Sequence, residues 1–418
     1  MSEELALLGG PRAVTEAPPV WPRIDDATLE AVTRVLRDEP LCPVGATGIQ
    51  GEFEARFRDL HQRRFALATN SGTAALMLSL HGSGVQPGDE VICSPFTWGA
   101  SIACALQCGA IPRFADIDAA TYALDPASVE AQINERTRAI LAVHLFGYPA
   151  PMSELEAIAS RHGLALVEDC AQAAGGRYRG RRLGSCGHFS AFSLQASKNL
   201  TGGEGGILLC DEIEPYERAM SMGTHPARLV EELELPQFRE RIDSLAFNFR
   251  MHTASAAIAN AQLDSLDGWS DQRRGNAGAF YAMIDKVPGV EAQTPPAEAG
   301  SQHAYYHLPL RFVPEAMPID RDRFVEALVA EGVPAGTYVR VPFYLRPRLQ
   351  NRDWLGREFP WSLSDDPPQY ARGDCPVAEA AGLTEIQLKV SLHEPCADYV
   401  SQLANAFRKV ASQAHKLS

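Results

Sequence analysis

Two segments of the chain carry groups that can do chemistry together. The stretch Ala191-Phe192-Ser193-Leu194-Gln195-Ala196-Ser197-Lys198 ends on a primary amine, and Asn199-Leu200-Thr201 leads on into Gly202-Gly203-Glu204-Gly205-Gly206. Upstream, the apolar run Leu164 to Val167 closes on the acidic pair Glu168-Asp169, followed by Cys170-Ala171-Gln172. An amine that can form an imine, with a carboxylate on a separate strand end, is the pair that pyridoxal phosphate (PLP) requires. On this reading Lys198 carries the cofactor, and Asp169 keeps the pyridine nitrogen protonated so that the ring can absorb electrons. Gln172 is placed to hydrogen-bond the ring hydroxyl. Ser193 is placed to reach the phosphate, and the glycines after Lys198 let backbone pass close to a ligand.

Two further motifs have weight only in combination with these. Asn70-Ser71-Gly72-Thr73 lies between a strand and a helix. Free amides at a helix N-terminus, a glycine and flanking hydroxyls make an anion cradle of Ser71, Gly72 and Thr73. An ordinary capped turn has the same composition. Pro95-Phe96-Thr97-Trp98 follows a strand, and Trp98 is in position to stack on a flat ring or simply to pack.

The elements that must hold these groups are short apolar strands alternating with helical segments. Strands are expected at Phe65 to Thr69, Val91 to Ser94, Ile111 to Phe114, Ala139 to His144, Leu164 to Val167, Ser190 to Leu194 and Gly206 to Cys210. Helices are expected at Ala100 to Cys108 and Met152 to His162, and after Asn70-Ser71-Gly72-Thr73. This alternation predicts an α/β fold: a large domain with a mainly parallel sheet of the seven-stranded type, covered on both faces. Ligands of such sheets collect at the carboxyl ends of the strands, where the residues singled out above fall.

Before this unit, residues 1–24 are rich in Pro and Gly and read as an extended arm. A helix follows, capped by Asp25 and Asp26, with Leu29, Val32 and Leu36 on one face. A second helix holds Phe53, Phe57 and Leu60. A helical stretch from Thr253 to Leu266 gives way to less regular sequence beyond Asp271, and the boundary is placed so that the large domain spans 25–268. Residues 269–418 read as a smaller α+β domain, with strands at His307 to Phe312 and Ile386 to Leu392 and helices at Ile319 to Glu331 and Ala397 to Val410. In the second of these strands Ile386, Leu388, Val390 and Leu392 alternate with Gln387, Lys389 and Ser391, the period of a half-buried strand. The segment from Tyr344 to Tyr370, rich in Pro, Arg and Trp, reads as a long loop.

Bulk properties exclude several functions. The 418 residues carry a formal net charge of −14, which argues against a nucleic-acid or anionic-membrane partner. Nine scattered cysteines, with Cys104 and Cys108 lacking a matching second pair, argue against a zinc site. They fit a reducing compartment. No apolar run reaches the roughly 20 residues of a membrane span, so the chain reads as cytoplasmic.

Taken together, and over the region from Trp21 to Val410, the chain resembles the DegT/StrS family of PLP-dependent sugar aminotransferases, which have the aspartate aminotransferase type of fold. The stretches that carry the resemblance are Asn70 to Leu76, Glu168 to Ala173, Phe192 to Gly206, and Phe247-Asn248-Phe249-Arg250-Met251. The resemblance implies Lys198 as Schiff-base lysine and proton shuttle, Asp169 as pyridinium partner, and Gln172 as the ring-hydroxyl contact. It implies Gly72, Thr73 and Ser193 as phosphate ligands and Trp98 as the stacking ring. Asn248 matches a residue that reaches the phosphate across a dimer interface, which implies a homodimer with shared sites. The activity implied is transfer of an amino group from L-glutamate or L-glutamine to a keto-sugar or keto-cyclitol, in secondary-metabolite or surface-sugar synthesis. His252-Thr253 and Val339-Arg340-Val341-Pro342-Phe343 depart from the family pattern near the substrate. Gln195 to Gly206 leans towards members acting on keto-cyclitols or making aminobenzoate-type precursors. An aromatising dehydratase of the aminobenzoate-synthase type is the alternative, and a non-catalytic PLP-binding regulator is a more distant one.

Overall fold

The fold is described from a computed structural model, which covers residues 4–41, 43, 45–293 and 298–417. Cys42 lies outside the described residues. Seven strands form the main sheet: β1 (Phe65–Thr69), β2 (Glu90–Cys93), β3 (Ile111–Phe114), β4 (Thr137–Val143), β5 (Ala165–Asp169), β6 (Phe189–Ser193) and β7 (Gly206–Cys210). Their order across the sheet is β1-β7-β6-β5-β4-β2-β3. Only β7 runs antiparallel to its neighbours, so the carboxyl ends of the other six strands share one edge. The amino end of β7, Gly206, lies on that same edge, because it pairs with Thr69 on one side and Ser193 on the other.

The apolar strand runs are continuous because both faces of this sheet are covered. Period-two geometry divides each run between two cores. Leu67, Leu141 and Val167 join the core on one face with Phe96 and Trp361. Ala66, Ala68, Ile140 and Leu166 join the other with Phe53 and Phe57. A third core belongs to a smaller antiparallel sheet, ordered β8 (Val290–Ala292), β9 (Leu308–Phe312), β11 (Glu385–Leu388) and β10 (Ala335–Gly336). Helices Leu266–Ile284, Arg321–Ala330 and Ala397–Gln413 accompany it.

Most expected elements are present within a residue or two, and five expectations need correction. Residues 4–24 are packed against the rest of the chain instead of standing off as an extended arm. Leu5 and Val14 are buried in the third core, and the buried Glu331 carboxylate accepts from the amides of Ala6 (2.8 Å) and Ala13 (2.9 Å) and from Lys409 Nζ (2.9 Å). The helix Asp26–Asp38 forms, with Asp25 accepting from Thr28 N, but it buries Thr28 and Val35 and leaves Leu29 and Leu36 more than half exposed. The helical stretch from Thr253 breaks at Gln262, and a second helix runs on through Ile284, where irregular sequence was expected. Its three glycines disfavour helix, but burial of Ala277, Phe280, Tyr281 and Ile284 outweighs that propensity.

The last two corrections concern later segments of the chain, one in the smaller sheet and one packed on the main sheet. The strand expected to reach Leu392 ends at Leu388, although Ile386, Leu388, Val390 and Leu392 all belong to the third core. It is buried on both faces rather than one, since Gln387 is as covered as its apolar neighbours. The segment 344–370 is a packed structure instead of a free loop. Tyr344 and Trp361 are fully buried, Trp361 Nε1 donates to Tyr370 Oη (2.9 Å), and Tyr370 Oη donates to the Pro112 carbonyl (2.6 Å). Trp361→Ala is therefore expected to cost about 3–5 kcal/mol, the range for a large aromatic removed from a core. Urea unfolding should show a shifted midpoint at unchanged slope.

Candidate active site

The shared strand edge gathers the chemistry-bearing residues. Ser71 follows the end of β1 and caps the helix Gly72–Gly82, its side chain accepting from Ala74 N (3.1 Å). The amides of Gly72 and Thr73 lie in the first turn and have no intrahelical acceptor. Ser193 ends β6. The three pieces are drawn together by missing side chains. A Cβ on Gly72 would lie 2.7 Å from Ser193 Cβ, and one on Gly206 would lie 2.4 Å from the Ser71 carbonyl oxygen. Glycine is required at both positions for the helix terminus to sit against β6 and β7. The result is a cluster of hydroxyls and free amides suited to a phosphate-like anion.

Asp169 is the last residue of β5 and is 4% exposed. Burial pushes its carboxyl above the usual range, against the pull of its hydrogen bonds and of Lys198. Ser101 Oγ donates to Oδ2 (2.7 Å) and Ala171 N donates to Oδ1 (3.0 Å). A further cationic or N–H partner in the cavity would lower the cost of keeping this charge out of water. Its neighbour Glu168 points elsewhere and is saturated. It pairs with His144 Nε2 (3.1 Å) and accepts from the amides of Gly184, Cys186 and Gly187. Burial pushes Glu168 up, but the His144 contact and these amides outweigh it and hold the carboxyl at about 2. Only the second acid of the pair is therefore available to a ligand.

Lys198 projects from a loop pinned at several points. Its own amide donates to the Gln195 carbonyl (2.9 Å), and Trp21 Nε1 donates to its carbonyl (3.0 Å). Asn199 Nδ2 reaches the Ala304 carbonyl (2.8 Å), and Thr201 Oγ1 the Leu194 carbonyl (2.9 Å). Gly203 and Gly205 adopt positive φ values of 82° and 144°, which turn the chain back into β7. The ammonium lies 4.3 Å from the centroid of Tyr306, an orienting cation–π contact.

One cavity of about 460 Å³ is lined by Ser71, Gly72, Thr73, Trp98, Asp169, Gln172, Ser193 and Lys198. Trp98 is 68% exposed, a large apolar surface left for a flat ligand to cover. Gln172 is committed on two sides, accepting from Phe146 N (2.5 Å) and donating to Tyr338 Oη (2.7 Å), with one amide hydrogen left for a ligand. Asn248 is not brought to this cavity. It is exposed and accepts from Arg250 Nε (2.9 Å). Several histidines are committed elsewhere: His144 is spent on Glu168, His188 Nδ1 accepts from Leu166 N, and His252 caps the helix Thr253–Gln262. His393 packs on Trp21.

Sequence reasoning passed over Tyr306, Ser101 and Trp21. Tyr306 lies in the aromatic run Tyr305-Tyr306-His307, far along the chain from Lys198. Ser101 sits three residues after Trp98, on the first turn of the helix Ala100–Gln107. All eight described thiols are free, and burial raises Cys93 and Cys108 to about 12. No helix among the described residues is long and apolar enough to cross a membrane.

The chain and its fold have counterparts among known proteins. The chain is 34% identical to the L-glutamine:scyllo-inosose aminotransferase of Streptomyces griseus, with all of both chains covered. The aminotransferase from Psychrobacter cryohalolentis has a solved structure that superposes with a TM-score of 0.83 at 29% identity, covering 96% of this chain and 100% of the other. The crystal structure of 3-amino-5-hydroxybenzoic acid synthase superposes with a TM-score of 0.78 at 27% identity, covering 95% and 99%. The description "DegT/DnrJ/EryC1/StrS aminotransferase family" matches residues 22–363. With a family match over most of its length, the protein belongs to the DegT/DnrJ/EryC1/StrS aminotransferases.

Proposed function

We propose that this aminotransferase uses pyridoxal phosphate to move an amino group from L-glutamine or L-glutamate to a keto-cyclitol or keto-sugar, in the synthesis of an antibiotic or a surface sugar. One observation carries the reading: an amine (Lys198), a buried carboxylate (Asp169) and a hydroxyl-and-amide anion cradle line a single cavity. The similarity to an inosose aminotransferase over both full lengths supports the keto-cyclitol class and the glutamine donor.

The residues fit the cofactor. The cradle of Ser71, Gly72, Thr73 and Ser193, closed to any larger side chain at 72, matches a phosphate. The under-partnered Asp169 carboxylate matches a protonated ring nitrogen. When bound, PLP supplies an aldehyde that condenses with amines and a ring that accepts electron density. Asp169 holds the ring proton in place by its charge. Trp98 covers a ring face, and Gln172 offers its remaining amide hydrogen to the ring hydroxyl. Lys198 Nζ takes the proton from the donor α-carbon as general base and returns it as general acid.

The working form in this reading is a cytoplasmic homodimer in which Asn248 serves the partner's phosphate end. The exposed Leu29, Leu36 and Phe247 leave apolar surface for a second copy. The division into a 25–268 cofactor unit and a 269–418 unit is part of the same proposal. The likeness to 3-amino-5-hydroxybenzoic acid synthase keeps an aromatising dehydratase as the second reading. Product analysis separates them: an aminated ring with 2-oxoglutarate or its amide, against a dehydrated ring.

Two variants test the site. Lys198→Ala should lower the donor half-reaction by at least about 10³-fold. Wild-type turnover in that variant removes the mechanism. Asp169→Asn should slow the same half-reaction by about 10²-fold or more, because the charge pair to the cofactor ring is broken. Its effect on the cofactor-free protein should have the opposite sign. A carboxyl whose folded pKa is raised contributes stability below its unfolded pKa and loses it as pH rises through the folded value. Neutralising Asp169 should therefore raise the cofactor-free Tm at pH 7 while leaving it unchanged at pH values below the ordinary carboxyl range.

A further inference from the structure

A second cavity, of about 690 Å³, opens from the first and shares Trp98, Gln195, Ser197, Tyr306 and Tyr338 with it. Its far wall is the polar row whose alternation is visible in the sequence. Gln387, Lys389 and Ser391 all line it, while Ile386, Leu388 and Leu392 turn to the core. These three polar side chains thus line a ligand-sized space that adjoins the Lys198 cavity.

The charge in this wall is uncompensated. Among the described residues, no Asp or Glu lines the second cavity. Lys389 has no ion pair among the described residues. Glu385, whose carboxyl feels the Lys389 charge weakly, is buried, and burial raises it to about 8. Behind the wall, Arg273 is 1% exposed and also has no acidic partner among the described residues. Its Nε and Nη2 donate to Ser391 Oγ (3.3 and 3.1 Å), and it stacks on Trp21 at 4.8 Å. Two cations without a counter-charge favour an anionic ligand over a neutral polyol. The phosphate has its own cradle at Ser71–Thr73 and Ser193, none of which lines this space. Among the residues that line the cavity, His307 Nδ1 and Gln387 Oε1 are buried without a hydrogen-bond partner, and behind the wall so is Arg273 Nη1.

We infer that Lys389, with Arg273 behind Ser391, forms the subsite for the carboxylate of the amino donor, an α-amino acid that enters with its amine towards Lys198. The assignment rests on the aminotransferase reading above and adds which residue holds the donor's carboxylate. His307 and Gln387 supply the neutral hydrogen-bonding groups beside that carboxylate.

The test uses PLP-loaded enzyme with L-glutamine, and with the L-glutamine analogue whose α-carboxylate is an uncharged amide. Lys389→Met should lower kcat/KM for L-glutamine by at least about tenfold, the scale of a charge-assisted hydrogen bond, with the loss in KM. The amide analogue should be used equally poorly by both proteins. Lys389→Arg should recover part of the loss. Binding of glutaramate, a carboxylate without the reacting amine, should weaken by a similar factor in calorimetry. Because Lys389 is exposed, an unchanged Tm is expected for each variant. The inference is overturned if Lys389→Met discriminates between the two donors as wild type does, or if only the KM of the keto acceptor rises. Wild-type enzyme that takes an amine from no amino acid would overturn the aminotransferase reading itself, and the subsite with it.

Discussion

The architecture of the candidate site depends on the close approach of three backbones at Gly206. This residue pairs with both Thr69 and Ser193, so the ends of β1 and β6 are fixed one strand apart, and the Ser71 carbonyl rests where a side chain would be. The single antiparallel strand is what makes this possible. Reversing β7 brings the glycine-rich stretch after Lys198 straight back into the sheet at the edge where the parallel strands end. Amine, carboxylate and anion cradle then occupy one edge without any long loop having to be ordered to hold them.

The sheet also explains why one acid of a sequence pair is free and the other is not. Successive residues of a strand face opposite sides. Glu168 and Asp169 therefore see different surroundings. One meets His144 and a run of amides, and the other meets the cavity with two donors only. A buried, under-partnered carboxylate destabilises the free protein, and it is placed where a ligand can relieve it.

Much of this was legible in the sequence, for a physical reason. Lys198, Asp169, Ser193 and the turn at Ser71–Thr73 belong to local strand–turn patterns, and short-range chemistry writes such patterns plainly. What stayed hidden was set by contacts distant in sequence. Tyr306 meets Lys198 from a segment far along the chain. Trp21 reaches the Lys198 carbonyl across 177 positions. The helix through Ile284 exists because Phe280 and Ile284 pack against partners far along the chain, which overcomes the poor helix propensity of its glycines. The apolar stripe of the helix Asp26–Asp38 was visible, but its role as outer surface was not, since periodicity reports that a face is apolar and not what covers it.

Glu331 has a consequence for how the molecule comes apart. Its one carboxylate holds Ala6 and Ala13 near the beginning of the chain and Lys409 near the end. Detaching either terminal segment strips hydrogen bonds from a charge that water does not reach. The remaining segment is then left clamped to a destabilised anchor. The two ends are thus mechanically coupled, and fraying at one loosens the other.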